Sequence, residues 1–233
     1  MYRLLHKNRE YWTHERSLKA LLIYLSISLF VLMPLSHGKI WEQLVQDILF
    51  NLILLSGVFA VFSFKWQRTM FIGLALLAFL LRGLAYISLH PSIKLADHIV
   101  SLLYFISLAL FVLRIIFKDK PVNNYRIQGA VVFYLLFGII CAYIYNILYL
   151  VEPNSFVFQI EPEGTAFFAK FLYFSFVIQT TLGIGDIVPV HPLVKSLVIF
   201  QAMMGMLYPV IIVARLVSLE IEHSRDSRKA GKN

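Results

Sequence analysis

The stretch TTLGIGD, residues Thr180 to Asp186, is the feature of this sequence that most narrows its fold. It follows a short apolar segment, Ala166 to Gln179, and precedes a long one, Leu193 to Leu219. Its two glycines alternate with branched apolar residues, and glycine readily adopts the positive φ values that other residues avoid. Such alternation lets consecutive backbone carbonyls point to one side while the side chains point to the other. The spacing therefore predicts a row of main-chain oxygens.

The composition around this stretch is that of a membrane protein. Of the 233 residues, 59% are apolar and 15% are charged, with a mean hydropathy of +0.75. Soluble proteins average about 45 to 50% apolar and about 25% charged residues. At about 20 apolar residues per crossing, spanning helices take up nearly the whole length, so we expect no separate soluble domain. Six stretches are long enough to cross a bilayer: Leu18 to Leu35, Leu44 to Phe64, Thr69 to Leu89, Ile99 to Phe117, Gln128 to Val151 and Leu193 to Leu219.

The segment Ala166 to Gln179 is shorter than the about 20 residues that a crossing needs, so we expect it to enter the membrane and return. The 21 Lys and Arg residues support an even number of crossings with both termini in the cytoplasm. In that topology sixteen of them lie inside, four lie outside, and Arg82 falls within the third helix. The loop Glu152 to Thr165, which carries three carboxylates, then lies outside, where it either concentrates cations or is an ordinary solvated loop.

Stacked rings of backbone carbonyls can replace the water shell of a potassium ion, and the glycine-punctuated stretch is suited to form them. Thr181 would add a hydroxyl ring at the inner end, and the C-terminal end of the short helix would favour a cation. The chain contains one such stretch and no internal repeat, so a closed pore requires several chains.

The segment Tyr173 to Pro189, YFSFVIQTTLGIGDIVP, resembles the pore helix and filter of potassium channels. Gly205 to Val217, GMLYPVIIVARLV, is similar to the inner helix of small prokaryotic channels of this class. The resemblance covers about residues 128–219 and implies that Gly205 is a gating hinge. It also implies a filter in which Thr181, Leu182, Gly183, Ile184 and Gly185 coordinate ions, with K+ at the first four, while Thr180 and Asp186 support them.

Two positions depart from the family pattern. The family usually has an aromatic residue, most often tyrosine, where this chain has Ile184, and isoleucine provides packing but no hydroxyl to brace the filter. Val177 and Ile178 stand where many members carry polar groups, so the pore helix offers Asp186 no carboxylate partner. Both departures bear on how rigid and how selective the filter is.

The first four predicted helices occupy the position of a voltage sensor but lack its chemistry. The fourth offers only Arg114, followed by Lys118, where a sensor needs a basic residue at every third position. One charge crossing the membrane potential yields about 2.3 kcal/mol per 100 mV, so four subunits would supply only about 9 kcal/mol. We therefore expect weak voltage dependence or none. Arg82 is expected to pair with Asp47 or Asp97, either locking the bundle or serving as a sensor.

Gly205 and Pro209 lie four residues apart in the last helix, where glycine loosens the turn and proline removes a hydrogen bond. We expect a bend there, which either opens a gate or widens a fixed cavity. The only cysteine, Cys141, lies in an apolar segment, which excludes a disulfide framework. The charge of +8 is concentrated beside apolar segments, so it indicates topology and contacts with lipid headgroups rather than nucleic acid.

The sequence thus predicts an all-α membrane protein with six transmembrane helices and a re-entrant pore helix, assembled as a homotetramer in the plasma membrane. The predicted parts are a cytoplasmic N-terminus (1–17), a four-helix bundle (18–120), a pore module (121–219) and a cytoplasmic tail (220–233). The expected function is passive potassium flux, with no enzymatic activity and no cofactor besides the permeant ion. Two alternatives stay open: a poorly selective monovalent cation channel, and a membrane enzyme or transporter with a glycine-rich binding loop.

Overall fold

The computed structural model of the chain describes residues 18–27, 29, 65–87, 90–116, 124–159 and 167–230. Within these ranges the chain forms six helices, one short 3-10 turn at Pro153–Ser155, and two three-residue strands. The helices are α1 (Leu18–Ile27), α2 (Lys65–Ile87), α3 (Pro91–Ile116), α4 (Asn124–Val151), α5 (Phe167–Gln179) and α6 (Pro192–Ala230). The strands are β1 (Phe156–Phe158) and β2 (Ile187–Pro189).

Three of the described helices are long and apolar enough to cross a membrane, and they contain the spans Pro91–Arg114, Arg126–Val151 and Pro192–Arg215. They correspond to the fourth, fifth and sixth predicted stretches. The third predicted stretch forms α2, whose apolar part is shorter, Thr69–Ala85. The second, Leu44 to Phe64, and the cytoplasmic N-terminus at 1–17 lie outside the described residues. The total of six crossings therefore stays a prediction.

The main apolar core lies where α3 packs between α2 and α4, and α1 closes one side of it. Aromatic contacts join the helices of this core. Tyr104 of α3 meets Phe71 of α2 edge to face, with 5.4 Å between ring centroids. Phe105 of α3 stacks on Tyr143 of α4 at 5.7 Å. The fully buried members include Leu21, Leu25, Tyr104, Phe105, Leu108, Val112, Val132, Leu136 and Ala142.

A second core holds the short helix α5 in place. It joins α4, α5, both strands and the start of α6 through Cys141, Tyr145, Phe156, Phe171, Phe174, Ile187 and Val194. The strands pair antiparallel with Phe156 opposite Pro189 and Phe158 opposite Ile187. Phe156 packs on Phe171 of α5 at 4.9 Å between centroids. The chain segments before and after α5 are thereby fastened to each other and to α4.

Helix α6 runs from Pro192 to Ala230 and continues through Pro209 without interruption. Much of its surface is apolar and exposed on the single subunit, as at Ile199, Phe200, Met203, Met206, Val210, Ile211 and Val213. In a membrane protein such a surface faces lipid or other protein rather than water. Another part of the α6 surface contacts α4 and α5 through Gln201, Gly205 and Tyr208.

Candidate functional site: the turn after helix α5

Helix α5 ends in a tight turn that leads directly into the glycine-rich stretch. Thr180 donates its backbone N–H to the Phe176 carbonyl at 2.9 Å, and Thr181 donates to the Ile178 carbonyl at 3.0 Å. Leu182 then reaches back to the Val177 carbonyl at 2.9 Å. These bonds satisfy carbonyls at the C-terminal end of α5, which a helix otherwise leaves without partners. The stretch is therefore fixed to the helix end at its first residues.

The backbone of the stretch alternates in the way that the glycine spacing predicts. Thr181, Gly183 and Gly185 have φ values of +59°, +58° and +84°, whereas Leu182 and Ile184 between them do not have positive φ. Alternation between right- and left-handed conformations turns successive N–H groups to one side, and hence the carbonyls to the other. A positive φ is a genuine outlier for a β-branched residue such as Thr181, and strain of this kind clusters at functional sites.

Residues 180–185 are exposed on the single subunit. A Cβ built on Gly183 or Gly185 meets no described residue within 4 Å, so it is their backbone angles that require glycine there. The side chains of Leu182 and Ile184 are 65% and 56% exposed. The glycine-rich stretch thus forms an open face of the molecule rather than a packed turn.

The outer end of the stretch is held by two neighbours that sequence reasoning did not single out. The Tyr173 hydroxyl of α5 lies near enough to the Asp186 carboxylate to interact with it electrostatically, and Asp186 accepts from the Ile187 N–H through Oδ1 at 3.1 Å. Burial and the Asp186 carboxylate both raise the pKa of Tyr173 above its ordinary value. Gln159, directly after β1, donates its backbone N–H to the Asp186 carbonyl at 2.9 Å and its Nε2 to the Gly185 carbonyl at 3.0 Å.

A buried polar network lies behind the inner end of the stretch and joins three helices. Gln201 of α6 donates through Nε2 to Ser175 Oγ at 2.7 Å and to Gln179 Oε1 at 3.3 Å. The hydroxyl of Tyr145, on α4, donates to Gln201 Oε1 at 2.7 Å. Ser175 donates onward to the Gly138 carbonyl at 2.6 Å. Networks of this kind fix geometry when all their members are satisfied.

The last residue of α5, Gln179, is the centre of this network and has no exposed surface. Its Nε2 donates to the Tyr134 carbonyl at 2.7 Å, while its own backbone carbonyl accepts from the Tyr134 hydroxyl at 3.3 Å. Sequence reasoning gave neither Gln179 nor Gln201 a role. The available signal was that both are polar residues inside apolar helices, which in a membrane are costly unless they are paired.

Gly205 lies against the base of the stretch. A Cβ built on it would overlap the backbone carbonyl of Gln179, so the two helices approach closely at this point. Pro209, one turn farther along α6, is exposed. The close contact gives Gly205 a packing requirement, and the hinge role of Gly205 and Pro209 remains a prediction.

The predicted ion pair of Arg82 is present away from this site. Its guanidinium lies 3.4 Å from the Asp97 carboxylate and 3.4 Å from Ser101 Oγ, between α2 and α3. It also bonds with Tyr143 of α4, so the pair links three helices. The alternative partner, Asp47, lies outside the described residues. Among the described residues, no group of three or more His, Cys, Asp or Glu side chains could hold a metal ion.

Comparison with known proteins finds one similarity, and it covers the site. Residues 129–222 match the family model described as "Ion channel". The match covers most of α4, both strands, α5, the glycine-rich stretch and most of α6, in agreement with the extent of the resemblance drawn from the sequence. Comparisons with curated proteins and with solved structures found no match. Residues 129–222 are therefore similar to an ion channel domain, and two helices that are long and apolar enough to cross a membrane lie largely within them.

Proposed function

We propose that the chain is one subunit of a homotetrameric channel that conducts K+ passively through rings of backbone carbonyls. The observation that carries this proposal is the alternation of positive φ at Thr181, Gly183 and Gly185 on an exposed face. One such face offers one row of oxygens, whereas an ion stripped of water needs several oxygens around it. Repetition of the row about a symmetry axis supplies them, and closed cyclic symmetry is the usual arrangement of identical subunits.

The ion path in this proposal is lined by Thr181, Leu182, Gly183, Ile184 and Gly185, with Thr180 and Asp186 supporting the two ends. The network around Gln179 and Gln201 gives this row a rigid backing, since each described side chain in it has a partner. Rigid placement matters because the number and orientation of carbonyl dipoles govern discrimination between K+ and Na+. The ions are the transported substrate, and the channel sits in the plasma membrane with both termini cytoplasmic.

A second candidate, a monovalent cation channel with poor selectivity, is favoured by one observation. Ile184 has no polar side-chain atom that could brace the outer filter from behind, and its side chain is 56% exposed on the subunit. The two candidates differ only in how tightly the carbonyl rings are held. Selectivity measurements therefore distinguish them.

The test is planar-bilayer recording from purified, reconstituted protein. With K+ on one side and Na+ on the other, we expect the reversal potential to move toward the K+ equilibrium potential. A reversal potential near zero would support the poorly selective channel, and the absence of cation current would refute both candidates. Cross-linking in detergent is expected to give a limit of four subunits, and a limit of two would refute the tetramer.

A matched pair of glycine variants links the current to the proposed filter. Gly183→Ala forces a side chain onto a residue with φ of +58°, so we expect loss of K+ selectivity or of current. Gly83→Ala is the control, because Gly83 lies in α2 and a Cβ built on it meets no atom of the described residues within 4 Å. If Gly183→Ala conducts with unchanged selectivity, the ion path does not run along this stretch.

A further inference from the structure

The backbone carbonyl of Gly185 accepts a hydrogen bond from a side chain that lies earlier in the chain. Gln159 Nε2 donates to it at 3.0 Å. Five residues, Thr181 to Gly185, form the row of carbonyls. Within the described part of the chain, Gly185 is the one of these whose carbonyl accepts a hydrogen bond from a side chain. The outermost oxygen of the row thus has a fixed partner.

Gln159 is itself held firmly enough to fix that oxygen. Its backbone N–H donates to the Asp186 carbonyl at 2.9 Å, so two bonds join it to consecutive residues of the filter end. The preceding residue, Phe158, pairs with Ile187 across the strands and packs on Phe171 at 6.0 Å between ring centroids. Gln159 therefore links the second core to the outer end of the proposed filter.

The neighbouring side chains of Ile184 and Asp186 do not donate a hydrogen bond to the Gly185 carbonyl. The Asp186 carboxylate is an acceptor and receives the Ile187 N–H. Ile184 offers no donor, and a Cβ at Gly185 would have open space around it. Without the amide of Gln159, the Gly185 peptide would have the freedom that a glycine with positive φ allows.

We propose that Gln159 is a positioning residue that orients the Gly185 carbonyl and thereby sets the affinity of the outermost ion position for K+. This inference rests on the proposed function. An oriented carbonyl contributes its full dipole to the ring at all times, whereas a freely rotating one does so only part of the time. Loss of the amide donor therefore weakens external K+ binding without altering the inner end of the filter.

The test compares Gln159→Met, which is close in size, neutral and without a donor, with the wild type in the full-length channel. Internal Ba2+ serves as the blocking probe, and the external K+ concentration that slows Ba2+ exit reports the outermost position. We expect this concentration to rise about threefold to tenfold, the change in an equilibrium constant that corresponds to one hydrogen bond. The association rate of internal Ba2+, which reports the inner filter, should stay as in the wild type.

Two further variants make the result decisive. Gln159→Ala removes the donor without adding a bulky group and should match Gln159→Met. Val157→Thr is the control, since Val157 is an exposed residue of the adjoining strand β1 whose partner across the strands is Val188, and it should behave as the wild type. Unchanged external K+ affinity in both Gln159 variants would overturn the inference. So would their failure to assemble, because that would give Gln159 a structural role. Wild-type protein without K+ current would instead refute the proposed function.

Discussion

The α-carbon of Gly205, in α6, lies directly against the backbone carbonyl of Gln179, the last residue of α5. A side chain at position 205 has no room unless one of the two helices moves. This contact joins α6 to the residue that immediately precedes the glycine-rich stretch, so displacement of α6 at this level must also displace the first residues of that stretch.

Gly205→Ala should therefore perturb conduction. Overpacking of a tight contact costs about 1 to 3 kcal/mol, and here the strain falls on the residue before Thr180. We expect reduced current or reduced K+ selectivity in bilayer recordings. Gly73→Ala provides the control, because a Cβ built on Gly73 of α2 meets no atom within 4 Å in the part of the chain that the structure describes, and alanine favours helix by about 1 kcal/mol. Equal behaviour of the two variants would contradict the close contact.

Tyr145→Phe should destabilise the pore domain by about 1 to 3 kcal/mol, because it leaves the buried Gln201 Oε1 without its donor. The measurement is the thermal midpoint of the detergent-solubilised protein. Tyr149→Phe removes a hydroxyl from the next turn of α4, where the ring stacks on Phe167 at 5.1 Å, and should have a smaller effect. A Tyr145 variant as stable as the wild type would show that the network contributes little.

Asp97→Leu should destabilise the protein strongly, by about 3 to 5 kcal/mol, since it leaves the Arg82 guanidinium in a largely buried site without its carboxylate. The double variant Arg82→Leu with Asp97→Leu should recover much of that loss, because apolar replacements of buried ion pairs are often neutral. Thermal midpoints of the three proteins give the coupling energy. Exchange of the two charges that preserves assembly but abolishes gating would instead assign Arg82 a sensing role.

Tyr173→Phe removes the hydroxyl that interacts with the Asp186 carboxylate and should loosen the outer end of the proposed filter. Because the pKa of Tyr173 is raised, the hydroxyl stays protonated below its ordinary value of about 10, and its contribution is lost only as pH rises through the higher folded value. We therefore expect wild-type selectivity to be insensitive to this group between about pH 7 and 9. If selectivity falls at higher pH in the wild type and falls equally in Tyr173→Phe, the loss does not come from titration of Tyr173.

The sequence predicted the backbone of the site better than its surroundings. Alternation of glycine with Leu182 and Ile184 is a local property, so the positive φ values at Gly183 and Gly185 could be anticipated. The lengths of the apolar stretches likewise predicted α3, α4 and α6. Both features depend on residues that are neighbours in the chain.

The supporting contacts could not be read in the same way, because they join distant residues. Tyr145 and Gln201 are 56 positions apart, and Gln159 and Gly185 are 26 apart. Glutamine in an apolar helix indicates a partner but does not identify it. The close approach at Gly205 depends on how two helices pack, and the same glycine in an isolated helix equally suits a hinge.

The antiparallel pairing of β1 with β2 closes the chain into a loop that contains α5 and the whole glycine-rich stretch. A newly made subunit can therefore complete this loop from its own residues, before it meets another copy. In the proposed tetramer, assembly then brings together subunits whose loops have already folded. It does not have to fold those loops. We expect biogenesis of the channel to proceed in two separable stages, of which only the second depends on subunit concentration.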